Sequence, residues 1–151
     1  MATRRFISNF VSALVLGCFA LNAAEAEKVT YYIQLIRGTE DASPPSPDCQ
    51  PIGPKIAKRL SPVFRWNYYW EMALKDVAME RGEKKLVHLA PQRSVEIDLT
   101  DLAKRQVTAF EGKKPVYKVV NPIGSDMTII GGDRTTNGSW FIIVRRDKPS
   151  K

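Results

Sequence analysis

The sequence predicts an all-β chain: an antiparallel β-sandwich or open barrel of about eight to nine strands, with one short helix near 54–61. Three observations point there. Apolar residues recur at every second position through most of the chain after residue 27, and in an extended strand alternate residues share a face. The breaks between these runs are short and rich in turn formers, as at Arg81-Gly82, "EGKK" and Asn137-Gly138, which leaves no room for the helices of a βαβ fold. Only one segment, near 54–61, carries a helix start, an apolar face and a stop.

The chain opens with "MATRRFISNFVSALVLGCFALNAAEAEK". Arg4 and Arg5 precede an apolar stretch, and Ala24-Glu25-Ala26 is a small-x-small site, so residues 1–26 read as a signal peptide removed on export. "LVLGC" offers an alternative, a bacterial lipobox with a lipid anchor on Cys18. The expectation is a protein exported to the periplasm or beyond, and held at a membrane only if Cys18 is lipidated. Residues 27–151 then form a single domain, long enough to bury a core unaided. Cys49 is the one cysteine left in it, so no internal disulfide is expected.

In "KVTYYIQLIRG", Val29, Tyr31, Ile33 and Leu35 alternate onto one face. A proline-rich crossover follows at 38–53, containing "SPPSPDCQPIGP". At its end Gly53 can cap a helix and Pro54 suits the first helical position, where a missing N–H leaves nothing unpaired. Ile56, Ala57 and Leu60 share a face, Lys55, Lys58 and Arg59 point away, and Pro62 stops the helix. Two turns cannot stand alone in water, so this helix is expected only as a lid docked on the sheet.

"VFRWNYYWEM" places Phe64, Trp66, Tyr68, Trp70 and Met72 on one face, expected to point inward. Val77 and Met79 precede the Arg81-Gly82 turn, and either Leu86 and His88 or Val87 and Leu89 face the core after it. "SVEIDLT" turns Val95, Ile97 and Leu99 inward and Glu96 and Asp98 outward. "RQVTAF" and "PVYKVV" form a hairpin about "EGKK". "DMTII" leads through Gly131-Gly132, a strand end or bulge, to "SWFIIVRRD". "WFIIV", Trp140 to Val144, is apolar on both faces and needs cover on both. The sandwich core is one cover. The short helix is the first candidate for the other, with the N-terminal strand or a partner as rivals.

No catalytic constellation emerges. Cys49 with His88, the single histidine, is a conceivable thiol–base pair, but a tolerated structural thiol or an intermolecular disulfide explains Cys49 more simply. "DRTTNG" from Asp133 faintly echoes a calcium loop, yet Val144 stands where the closing glutamate belongs. No phosphate loop, cofactor motif or metal set is expected. The net charge of +7 is spread along the chain, which suits a basic domain and allows contact with anionic surfaces. Export argues against a nucleic-acid partner. Tyr69 and Tyr32, opposite the inward stripes, are the aromatics expected to be displayed, where a sugar could stack.

"YYIQLIRGT", "VFRWNYYWEM", "MTIIGGD" and "WFIIVRRDKP" resemble an uncharacterised family of small exported bacterial β-sandwich-like proteins. The resemblance runs over nearly all of 27–151. It supports the fold and implies no activity, ligand or catalytic residue.

The functional expectation is a non-enzymatic exported binding or accessory module of the cell envelope that contacts another protein. Cys49, Tyr69, Tyr32, Lys58 and Arg59 are its candidate interaction residues. A glycan-binding module built on aromatic residues is the alternative, and a thiol enzyme or redox protein using Cys49 a further one.

Overall fold

The computed structural model describes residues 27–135 and 137–150, without the side chains of 132–135. The expected signal segment 1–26, Cys18 included, and the side chain of Asp133 lie outside those residues. The described chain forms β1 (Val29–Thr39), β2 (Gln50–Pro51), α1 (Pro54–Leu60), β3 (Tyr68–Met79), β4 (Lys84–Ala90), β5 (Arg93–Asp98), β6 (Lys104–Glu111), β7 (Lys114–Pro122), β8 (Met127–Thr135) and β9 (Gly138–Arg145). Every strand pair is antiparallel. One sheet runs in the order β2-β3-β1-β9-β8, the other β4-β5-β6-β7. They stack as an open sandwich, and the first sheet carries α1 on its back.

Alternation builds the layer between the sheets. Tyr31, Ile33 and Leu35 of β1 meet Val95 and Ile97 of β5 and Val107 and Ala109 of β6, all buried in one cluster. Glu96 and Asp98 fall on the opposite, solvent side of β5. On β4 the inward pair is Val87 and Leu89, while Leu86 stays 51% exposed. Gly112 turns the β6–β7 hairpin at φ 58°, a left-handed conformation that a side chain would strain.

β9 is buried along its whole length. Trp140, Ile142 and Val144 enter the sandwich core, and Phe141 and Ile143 face the other way onto Ile56 and Leu60 of α1. The helix is therefore the second cover that "WFIIV" requires. Gly53 occupies its N-cap position, proline opens its first turn, and both Ile56 and Leu60 are buried. The glycines 131 and 132 sit where the β8–β9 register slips, as a bulge does.

The stripe expected from Phe64 to Met72 does not form. Phe64 and Trp66 precede the strand, in the loop that returns from α1, and both pack behind the sheet with the helix. Trp66 lies so close to Gly38 that a Cβ there would come within 2.6 Å of its indole, so only glycine lets it lie flat. A register shift in β3 then puts Leu35 opposite Ala73 but Ile36 opposite Glu71, leaving Met72 as an extra residue. One extra residue reverses the phase of alternation. Tyr69 lies on the face opposite Tyr68 and Trp70, ahead of the bulge, but α1 and Trp66 cover that face and bury it, whereas Tyr68 and Met72 are 41% and 45% exposed. The expected display of Tyr69 is corrected by the helix and loop that cover the back of the sheet.

Candidate binding site

Ion pairs clamp the lid to the sheet. Lys55 of α1 reaches Asp147 at 2.6 Å, and Arg145 of β9 donates from Nε to the same carboxylate at 3.0 Å. Arg145 also lies 3.5 Å from Gln34 Oε1, and Gln34 Nε2 donates to Glu71 at 2.6 Å. A polar chain therefore crosses the back of the sheet from helix to edge strand. Arg145, more than Lys55, holds the Asp147 carboxyl well below the usual carboxylate range. A carboxyl depressed by folding contributes stability above its unfolded pKa and loses it as pH falls through the folded one. Asp147→Asn should therefore lower stability by about 1 kcal/mol at pH 7, the upper end for a partly exposed pair. Urea denaturation should show that deficit unchanged at pH 5 and shrinking only below about pH 4.

The residues singled out in the sequence scatter. Cys49 is 7% exposed in the crossover, with its Sγ 3.4 Å from Ser46 Oγ. His88 is exposed on the solvent face of β4, opposite Ser94, and no hydrogen bond among the described residues joins it to Cys49. Tyr69 donates its hydroxyl to the Phe64 carbonyl at 3.2 Å, and burial raises its pKa. Tyr32 is half-buried on the back of the sheet, between Asp76 and Arg145 in register. Lys58 is exposed on α1, and Arg59 pairs with Asp126 at 3.1 Å. The arrangement makes Cys49 a shielded thiol. It should react with an aromatic disulfide reagent roughly tenfold or more slowly in the native protein than in urea, because reaction then waits on local opening.

Exposed aromatic surface gathers elsewhere, at the end of the sandwich where β3 begins. Tyr68 and Trp70 share the core-facing side of β3, with ring centroids 6.5 Å apart and planes 19° from parallel. Trp70 Nε1 donates to Thr39 Oγ1 at 3.1 Å. In the same cross-strand row Arg37 stands opposite both Trp70 and Trp140. From the second sheet, Arg93 lies over the Trp140 ring at 4.1 Å and Tyr117 meets it edge-on. The second sheet covers Trp140 but leaves Tyr68 open. Among the described residues two buried donors here, Trp140 Nε1 and Arg93 Nη1, have no acceptor.

A second feature of β3 is its open edge. β2 pairs with it only at Trp70 and Glu71. Ile52 N–H donates to the Tyr69 carbonyl, so Tyr69 turns its backbone groups toward β2. Residues of an antiparallel strand alternate in this respect, and the extra residue at Met72 shifts the phase, so Leu74, Asp76 and Ala78 turn theirs away from β1. Among the described residues only the Ala78 carbonyl on that side has a partner, Lys85 Nζ at 2.8 Å. The crossover cannot extend β2 along this edge easily, since Pro44, Pro45 and Pro47 lack N–H groups.

A cavity of about 300 Å³ also opens behind the sheet, lined by Phe64, Arg65, Trp66, Gly131, Ser139 and Phe141. Among the described residues no group of three or more His, Cys, Asp or Glu side chains is placed to hold a metal, and no helix is long and apolar enough to cross a membrane. The chain matches no family model, no curated protein and no solved structure.

Sequence reasoning missed both features of β3. Tyr68 and Trp70 were visible as alternating aromatics, but the stopping point of the opposite sheet leaves no mark in the residues of β3 itself. The open edge follows from which strands become neighbours. The prolines before Cys49 are its only local signal.

Proposed function

We propose that this chain is a non-enzymatic, exported binding module of the cell envelope that contacts another protein through β3. The observation that carries the reading is the concentration of exposed apolar side chains on one edge strand. Tyr68, Met72 and Leu74 are 41%, 45% and 44% exposed, and that strand is mostly unpaired on its outer side. Apolar residues grouped at an unpaired edge favour a partner, whereas the same residues scattered singly would need no explanation. The doubly apolar β9 cannot serve as the docking surface, because its own chain covers both of its faces. Export rests on the N-terminal sequence, and N-terminal sequencing of the protein from its host tests it.

The binding reading is tested by placing a photo-crosslinking residue at position 74 or, as a control, at the slightly more exposed Leu86 of the second sheet. One dominant protein adduct from position 74 and none from position 86 is expected. Equal labelling from both positions, or none from either, would overturn the reading.

The Tyr68–Trp70 pair favours a second reading, a glycan site, since near-parallel half-open rings offer a sugar a stacking face. Trp70→Ala should then abolish glycan retention on an array while position 74 remains silent in crosslinking.

A further inference from the structure

We infer that the free edge of β3 takes up one extended segment of the partner as an added strand, and that Lys75 selects an acidic residue in that segment. The inference rests on the protein-binding reading and specifies its geometry.

Three observations carry it. The first is the row of backbone groups. Leu74 and Asp76 direct N–H and C=O outward with no partner among the described residues, and Ala78 directs its N–H there too. Exposed N–H and C=O groups in strand register are a template for a further strand, and main-chain pairing would supply most of the affinity. The second is that the chain's own strand stops short. β2 ends its pairing at Glu71, just where the proline-rich crossover departs, so the edge beyond remains open to a segment continuing along the same line.

The third observation is charge, which decides the occupant. Lys75 lies on the core-facing side, opposite Ile33 of β1, yet is exposed and makes no ion pair among the described residues. Asp76 follows it on the back of the sheet. A two-fold antiparallel pairing of two β3 edges must centre on a residue, because both strands keep their faces. The registers that overlap the edge most fully centre on Lys75 or on Asp76. Each sets like charges directly opposite, which is unfavourable. A second copy of this chain is therefore disfavoured. A different segment escapes the penalty by placing a carboxylate opposite Lys75, with apolar residues beside Leu74 and Val77. An inward-side lysine on an edge strand thus discourages self-pairing while leaving a matched partner free to bind.

The experiment uses the full chain and three 12-residue probe peptides of alternating valine and threonine. One has a central glutamate, one a lysine there, and one is the glutamate peptide with alternate backbone amides N-methylated. Affinities are measured by titration, and binding is located by amide hydrogen exchange. The glutamate peptide should bind about five- to tenfold more tightly than the lysine peptide, as opposed and matched charges across a strand pair differ. It should slow exchange at Leu74 and Asp76. The N-methylated peptide should not bind.

Lys75→Glu should invert the order of the two charged peptides. Leu74→Pro, which removes an N–H that the native ladder does not use, should keep the fold and lose binding. The proposal is overturned if none of the peptides binds, if glutamate and lysine peptides bind alike, or if protection falls elsewhere. It is also overturned if Leu74 and Asp76 are already protected in the protein alone, because a second copy or residues 1–26 would then occupy the edge. Adducts at position 74 without peptide binding would end strand addition and leave the protein-binding reading standing.

Discussion

Replacing Phe141 with alanine should destabilise the protein by about 4 kcal/mol, the range for a large aromatic removed from a core. Phe141 is 1% exposed and holds three parts of the structure together. Its ring centroid is 4.5 Å from Phe64 and 6.0 Å from Tyr69, and it belongs to the cluster that seats Ile56 and Leu60 of α1. A seven-residue helix has no independent stability, so losing this contact should loosen the lid beyond the global loss. Urea denaturation gives the total, and hydrogen exchange should show Ile56 to Leu60 opening well before the sandwich strands. Equal protection of helix and sandwich would mean that the ion pairs of Lys55 and Arg59, not the apolar face, hold the lid.

Arg105 is the second test, and its two replacements should diverge. Its side chain is fully buried between the sheets and pairs with no carboxylate among the described residues. Nη1 donates to the Ser125 carbonyl and Nη2 to Thr128 Oγ1, each at 2.9 Å, and the guanidinium lies 5.2 Å from the centre of the Tyr31 ring. Nε has no partner. Arg105→Ala leaves a cavity and strips the Ser125 carbonyl of its donor, and should cost about 3 kcal/mol. Arg105→Met leaves the Ser125 carbonyl equally without its donor but fills the volume with no charge to desolvate, and should cost only about 1 kcal/mol. Thr128 tolerates the loss because Asn121 also donates to its hydroxyl, at 2.8 Å. If methionine costs as much as alanine, the hydrogen bonds and not the packing make Arg105 worth burying.

The fold was legible where neighbours in sequence share a simple geometry. Val95, Ile97 and Leu99 face inward because strand side chains alternate, and no distant contact is needed to know it. Trp140 to Val144 demanded two covers by composition alone, and the segment ending in Leu60 announced the second by its cap, its face and its stop. The stretch around Tyr69 failed for an equally definite reason. Alternation puts Tyr69 on the face opposite Tyr68 and Trp70 correctly, but it cannot tell that α1 and Trp66 will cover that face. Arg105 was equally hidden, since arginine at an inward position reads as a break in the apolar pattern until Ser125, Thr128 and Tyr31 close around it.

The proline-rich crossover shows where the two sources of information divide. By itself the sequence determined that this segment is stiff, that it delivers a short helix, and that the strands around it alternate. Those are consequences of local dihedral preference and side-chain period. The tertiary structure alone decided that Cys49 is shielded, that β2 reaches no farther than Glu71, and that the remainder of β3 stands open. An edge exists only once strands from distant parts of the chain have chosen their neighbours, so its unpaired N–H and C=O groups belong to the assembled sheet and to no residue taken singly.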